Sequence, residues 1–169
     1  MDSASRTDVP AIGDERTLLT AFLDYQRDTL EWKCSELSDA QLRARVVEPS
    51  GLSLLGLVRH MTEVERGWFQ ECVGGERLEP RFVFGPDWNA TFDDLDSHGS
   101  AEVFDMWRAA CEQSRRIAAA LPLEHEGIAG RSREPVSLRW VLIHMVEEYA
   151  RHNGHADLIR ERIDGAVGM

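Results

Sequence analysis

Trp140-Val-Leu-Ile-His144-Met-Val-Glu-Glu148-Tyr-Ala-Arg-His152-Asn-Gly-His155 reads as part of a long helix near the C-terminus. Stepping by four, four and three from His144 meets Glu148, His152 and His155. At ~100° per residue these four fall within ~80° of arc, one stripe on one helical face. The stripe runs into Val141 at one end and Ile159 at the other, so it is expected to face the core. Three imidazoles and a carboxylate do not enter a core without a partner, because buried polar groups are costly unless satisfied. A bound metal is the partner this spacing suggests.

Working back from that helix, three more long helices are expected. The first starts at Asp14, a plausible N-cap, and carries Leu18, Leu19, Phe22, Leu23, Leu30 and Leu37 at helical spacing. Ser38-Asp-Ala-Gln41 matches a capping box and restarts a short helix through Leu42. Ser53 caps the second long helix. Its apolar face is Leu54, Leu57, Val58, Met61, Val64, Trp68 and Phe69, and Gly74-Gly75 ends it. Ser100 is the expected cap of the third, with Val103, Phe104, Trp107, Cys111, Ser114, Ile117, Ala118 and Leu121 inward and Pro122 as its stop. Ser137 caps the fourth, which runs to about Ile163 and ends at Gly165. Between the helices lie two longer connections, 76–99 and 122–136. No convincing strand pattern and no internal repeat is present. The fold class is therefore all-α, a four-helix bundle whose long connections argue against plain up-down-up-down order. Residues 1–13 read as a flexible lead-in and 14–169 as one domain.

Composition narrows the function. The 169 residues carry a net charge of −11, which opposes sequence-independent nucleic-acid binding and docking on anionic lipid. No apolar run approaches the ~20 residues of a membrane span. The N-terminus has no apolar segment of a signal peptide. Cys34, Cys72 and Cys111 are few, odd in number and without CxxC spacing, which points to the cytoplasm and to buried packing thiols.

His60 supplies the partner for the stripe. It sits three residues after Leu57 and four before Val64, so it points into the bundle from another helix. Glu148 and His152, one turn apart, converge from theirs. Two imidazoles and one carboxylate, with a coordination position left open, form a catalytic rather than a closed metal set. Zn2+ suits it, as do Ni, Co, Mn or Fe(II); ligand type alone does not choose. His155 and His144 stand one turn to either side, as extra ligands or as supports of the ligands. The competing reading is a buried salt bridge of Glu148 with Arg151 or Arg59. His98 and His125, in polar loops, are expected to be solvated. The tryptophans are expected mostly in the core, with Trp88 in the long loop a candidate pocket-mouth residue. HExxH, paired Glu-x-x-His motifs, the P-loop, GxGxxG and GxSxG are all absent.

Two segments, Leu54-Leu-Gly-Leu-Val-Arg-His60-Met-Thr-Glu-Val-Glu-Arg-Gly-Trp68 and His144-Met-Val-Glu-Glu148-Tyr-Ala-Arg-His152-Asn-Gly-His155-Ala-Asp-Leu-Ile-Arg-Glu, resemble the DinB superfamily and its DUF664-type members. That resemblance implies a bundle with a divalent metal held by one residue of the second helix and two of the fourth. Many members have His-x-x-x-His on the fourth helix; Glu148 replaces the first of these here. In this the chain is similar to the metal-binding domain of mycothiol-dependent maleylpyruvate isomerases, whose His, Glu, His set maps onto His60, Glu148 and His152. The residue at position 155 is commonly Gln in the superfamily. No counterpart of the isomerases' additional C-terminal domain is expected here, so isomerase activity is not expected to carry over. The function expected is a metal-dependent S-transferase, joining a low-molecular-weight thiol such as mycothiol or bacillithiol to a small electrophile. The loop 76–99 would form part of the pocket wall. The alternatives are a metal-dependent hydrolase and a non-catalytic metal- or small-ligand-binding bundle. A homodimer through a bundle face is compatible with either.

Overall fold

The computed structural model describes residues 6–82, 92–130 and 132–168. Trp88, expected at a pocket mouth, lies outside the described residues. Four long helices dominate: α1 (Glu15–Cys34), α3 (Leu54–Glu65), α4 (Ser100–Ala120) and α5 (Leu138–Asp164), with the short α2 (Asp39–Arg43) after α1. The all-α bundle expected from the periodicity is the observed architecture.

Most ends follow from capping chemistry. Asp14, Ser38, Ser53 and Ser137 each accept a backbone N–H of the first turn. Gln41 completes the capping box by reaching back to the N-cap of α2. Gly165, at φ 79°, takes the left-handed conformation that closes α5. Ser100 departs from expectation. Gly99 is the N-cap of α4, and the Ser100 hydroxyl instead donates to the Asp39 carboxylate on α2.

Two local features escaped the sequence reading. The helix begun by α3 continues as π-helix over Arg66–Val73. Such wide turns are frequent at functional sites. The 122–136 connection holds a small antiparallel hairpin, β1 (Glu126–Ile128) with β2 (Pro135–Ser137), in place of the strand-free loop expected. Gly127 packs directly on the π turn: a Cβ there would lie 2.2 Å from the Cys72 carbonyl oxygen. His125, expected in solvent, places Nε2 3.0 Å from the Val73 carbonyl and ties the hairpin to the same turn. His98 is half-buried, edge-on to Phe82.

Cross-helix contacts set the topology. Glu15 pairs with Arg139, Asn153 with Gln26 and Lys33 with Asp157, so α1 and α5 run parallel. Arg16 donates to the Ala118 carbonyl, while Arg115 pairs with Asp24 and Arg108 with Glu31, so α4 opposes α1. His60 meets His152, and Trp68 meets Trp140 and His144, so α3 opposes α5. The consecutive helices α3 and α4 are therefore parallel, and the chain must return along the bundle between them. This is the physical reason for the long 76–99 connection, and the order is not up-down-up-down.

The core contains Leu30, Leu57, Met61, Phe69, Trp107 and Met145, all at most 2% exposed, together with all three cysteines. At its centre is a group absent from the expected core. Glu65 of α3, 0% exposed, accepts two hydrogen bonds from Arg27 of α1, both 2.8 Å, and one from the Tyr149 hydroxyl of α5 at 2.7 Å. Trp107 of α4 donates to Tyr149 in turn, at 3.0 Å. One carboxylate thus joins all four helices. The expectation that the tryptophans are mostly buried fails among the described residues: Trp107 alone is fully buried, and Trp140 is 45% exposed. Phe22, one of the apolar residues at helical spacing on α1, is 48% exposed.

Candidate metal centre

The residues singled out on α3 and α5 meet. One ligand atom from each of His60, Glu148 and His152 can be chosen so that all lie within 4.8 Å of one another. Helix geometry explains the α5 half. His152 lies one turn beyond Glu148, and its Nε2 is 3.3 Å from Glu148 Oε2. The His60 and His152 rings meet edge-on, with centroids 4.7 Å apart. The stripe itself is half-buried rather than core-facing, because the face holding Val141, Met145, Tyr149 and Ile159 takes the core position.

The donor set fits a divalent metal on two observations. The first is the His60 Nδ1, which is buried with no hydrogen-bond partner among the described residues. The second is the company Glu148 keeps. The arginines that could have neutralised it are engaged elsewhere: Arg151 with Glu147, and Arg59 with the carbonyls of Asp93 and Asp94. The salt-bridge reading is therefore not the one the structure adopts. Among the described residues the charged partners of Glu148 are imidazoles: His152, and His144, whose Nε2 lies 3.7 Å from its other oxygen.

Electrostatics act in the same direction. Burial pushes the His60 imidazole down to about 4, and His152 adds to the shift, so His60 is neutral near pH 7 with a lone pair to give. The hydrogen bond with His152 and the neighbouring imidazoles hold the Glu148 carboxyl below its ordinary value, against the opposing effect of burial. A neutral His60 nitrogen and an anionic Glu148 oxygen are protonation states that metal binding requires.

A cavity of about 1200 Å³ opens beside this cluster. The π turn brings Gly67, Trp68 and Glu71 to it, and residues 76–80 and the hairpin close other sides, so the described part of the 76–99 connection does form pocket wall. His60, His144 and Glu148 line it. His144 is held by aromatic rings: Trp140 stacks on it at 4.8 Å between centroids, and Trp68 meets it edge-on at 4.7 Å. Phe92 covers His60 from the far end of the crossover, with centroids 5.7 Å apart. Its approach needs Gly56, where a Cβ would lie 2.7 Å from the Phe92 ring. Arg45 and Arg59 grip the backbone carbonyls of Phe92, Asp93 and Asp94. Neither Gly56 nor Phe92 had a signal in the sequence, since their contact joins segments distant along the chain.

Compared with known families, residues 18–165 match the model of the mycothiol-S-transferases, which are DinB-like. Among curated proteins, none matches the chain. No helix is long and apolar enough to cross a membrane among the described residues.

Proposed function

Because the chain belongs to the mycothiol-S-transferase family, we propose that it joins the sulfur of a low-molecular-weight thiol, mycothiol first, to a small electrophile, with His60, Glu148 and His152 holding a divalent metal. The observation that carries this reading is the meeting of three donor atoms within 4.8 Å at the edge of a large cavity. A divalent metal there supplies the charge that keeps a thiol deprotonated at neutral pH; Zn2+ is the first candidate. His60 and His152 would hold it through their nitrogens, and Glu148 through an anionic oxygen that offsets part of its charge. Trp68 and His144 offer an aromatic wall to the electrophile. The thiol proton passes to water. The thiolate sulfur then attacks the electrophilic carbon, a C–S bond forms, and the leaving group departs with the electron pair of the broken bond.

The test begins with untagged protein and measures metal per chain for the wild type, His60→Ala and His152→Ala. One equivalent in the wild type, lost in both variants, is expected. Thiol consumption across a panel of electrophiles then separates S-transfer from hydrolysis, which consumes no thiol. A wild type that binds no metal, and whose melting is unmoved by EDTA or Zn2+, overturns the reading.

A further inference from the structure

His155 lies three residues beyond His152, one turn further along α5. Its Nδ1 is 3.4 Å from His152 Nδ1, and the ring centroids are 5.4 Å apart at 63°. The other nitrogen of His152, Nε2, is 3.3 Å from Glu148 Oε2. The two nitrogens of His152 are thus divided: one addresses the donor cluster, the other addresses His155. The turn that carries them is pinned to α1. Asn153, 6% exposed, donates to both the backbone and the side-chain oxygen of Gln26, at 2.9 and 2.7 Å.

A neutral imidazole has one N–H and one lone pair. Two facing Nδ1 atoms at hydrogen-bond distance must therefore divide the roles. If His152 gives its Nε2 lone pair to a metal, its proton sits on Nδ1 and needs an acceptor. We infer that His155 is the positioning residue of the site: its Nδ1 accepts the Nδ1–H of His152, fixing the tautomer and ring angle that leave Nε2 free toward Glu148 and His60. Ligating histidines generally donate their second N–H to a carboxylate or carbonyl. An imidazole fills that place here. The Nδ1 of His155 is the one hydrogen-bond partner of His152 Nδ1 among the described residues. Metal-free protein can use the same pair in reverse, with His155 donating while His152 Nε2–H donates to Glu148. His155 therefore supports His152 in both states.

The inference rests on the metal-binding reading above, and its test keeps the two apart. Zn2+ affinity is measured by chelator competition for the wild type, His155→Ala and His155→Gln, with melting curves to verify that each variant is folded. His155→Ala is expected to bind about 10- to 100-fold more weakly, the usual loss when a ligand's supporting partner is removed. His155→Gln, whose amide oxygen can accept the same proton, is expected to restore affinity to within a few-fold of wild type. A filler of space would not show that pattern. Nitrogen NMR of the Zn2+-loaded protein adds a direct readout, with the His152 proton expected on Nδ1. Equal affinity of His155→Ala and wild type, or a His152 proton on Nε2 in the loaded protein, overturns this inference alone. A wild type without Zn2+ affinity overturns both.

Discussion

Replacing Arg27 with Met tests the central ion pair. Arg27 is 3% exposed, and its Nε and Nη2 donate to the two oxygens of Glu65 at 2.8 Å each. Met preserves much of the side-chain volume but leaves Glu65, fully buried, with no counter-charge. Removing one partner of a buried pair costs about 3–5 kcal/mol, because the other charge stays desolvated. For a chain of this size each kcal/mol moves Tm by about 2–4 °C, so a fall of roughly 6–20 °C is expected. Urea unfolding at constant m reads the same loss as a shift in midpoint. Arg27→Met/Glu65→Gln should be more stable than Arg27→Met alone, since a neutral amide needs no counter-charge yet still accepts from Tyr149.

The pH dependence has a definite sign. Burial raises the Glu65 carboxyl, but the charge and hydrogen bonds of Arg27, with the Tyr149 hydrogen bond, bring it below its ordinary value. Its contribution is therefore complete above the unfolded carboxylate value of about 4.3 and is lost as pH falls through the depressed folded value. In Arg27→Met the two largest lowering causes are gone, and burial, opposed by the Tyr149 hydrogen bond, pushes Glu65 upward relative to the wild type. The gap between wild type and variant should be widest near neutrality and narrow in acid. A loss under about 1 kcal/mol, or a double variant weaker than the single, would refute this account.

Gly127→Ala should destabilise by about 1–3 kcal/mol in thermal melts, because the new Cβ meets the backbone of Cys72, which cannot yield as a side-chain end can. Gly56→Ala should push Phe92 off His60 and weaken Zn2+ binding in a chelator competition, whereas adding Phe92→Ala should relieve the clash and recover melting temperature without restoring affinity. The cysteines should resist a thiol reagent until denaturant is added: burial pushes Cys34 up to about 12, and Cys111 and Cys72 upward as well. Rapid native labelling of Cys34 or Cys111 would contradict their burial.

Much of the candidate site was legible because helical spacing converts directly into direction. Glu148 and His152 are one turn apart on any helix, and His60 lies among apolar positions that had to face inward. Glu65 carried the same signal, four residues after Met61 and four before Phe69, yet its charge made a solvent position the natural reading. What reverses that reading is Arg27, whose place opposite Glu65 exists only once α1 packs beside α3. Ser100 shows the same limit in reverse: its sequence suits an N-cap, but a carboxylate from α2 captures its hydroxyl.

Taken by itself, the sequence determined the helices, four of the five N-caps and the residues of the donor cluster, because propensity, capping and 3.6-residue periodicity act over one or two turns. The tertiary structure decided the parallel placement of α3 and α4, the hairpin on the π turn, the Phe92 cover over His60 and the pairing of His155 with His152. The first three arise from contacts between residues far apart in the chain. The last depends on ring orientations, to which spacing alone is blind.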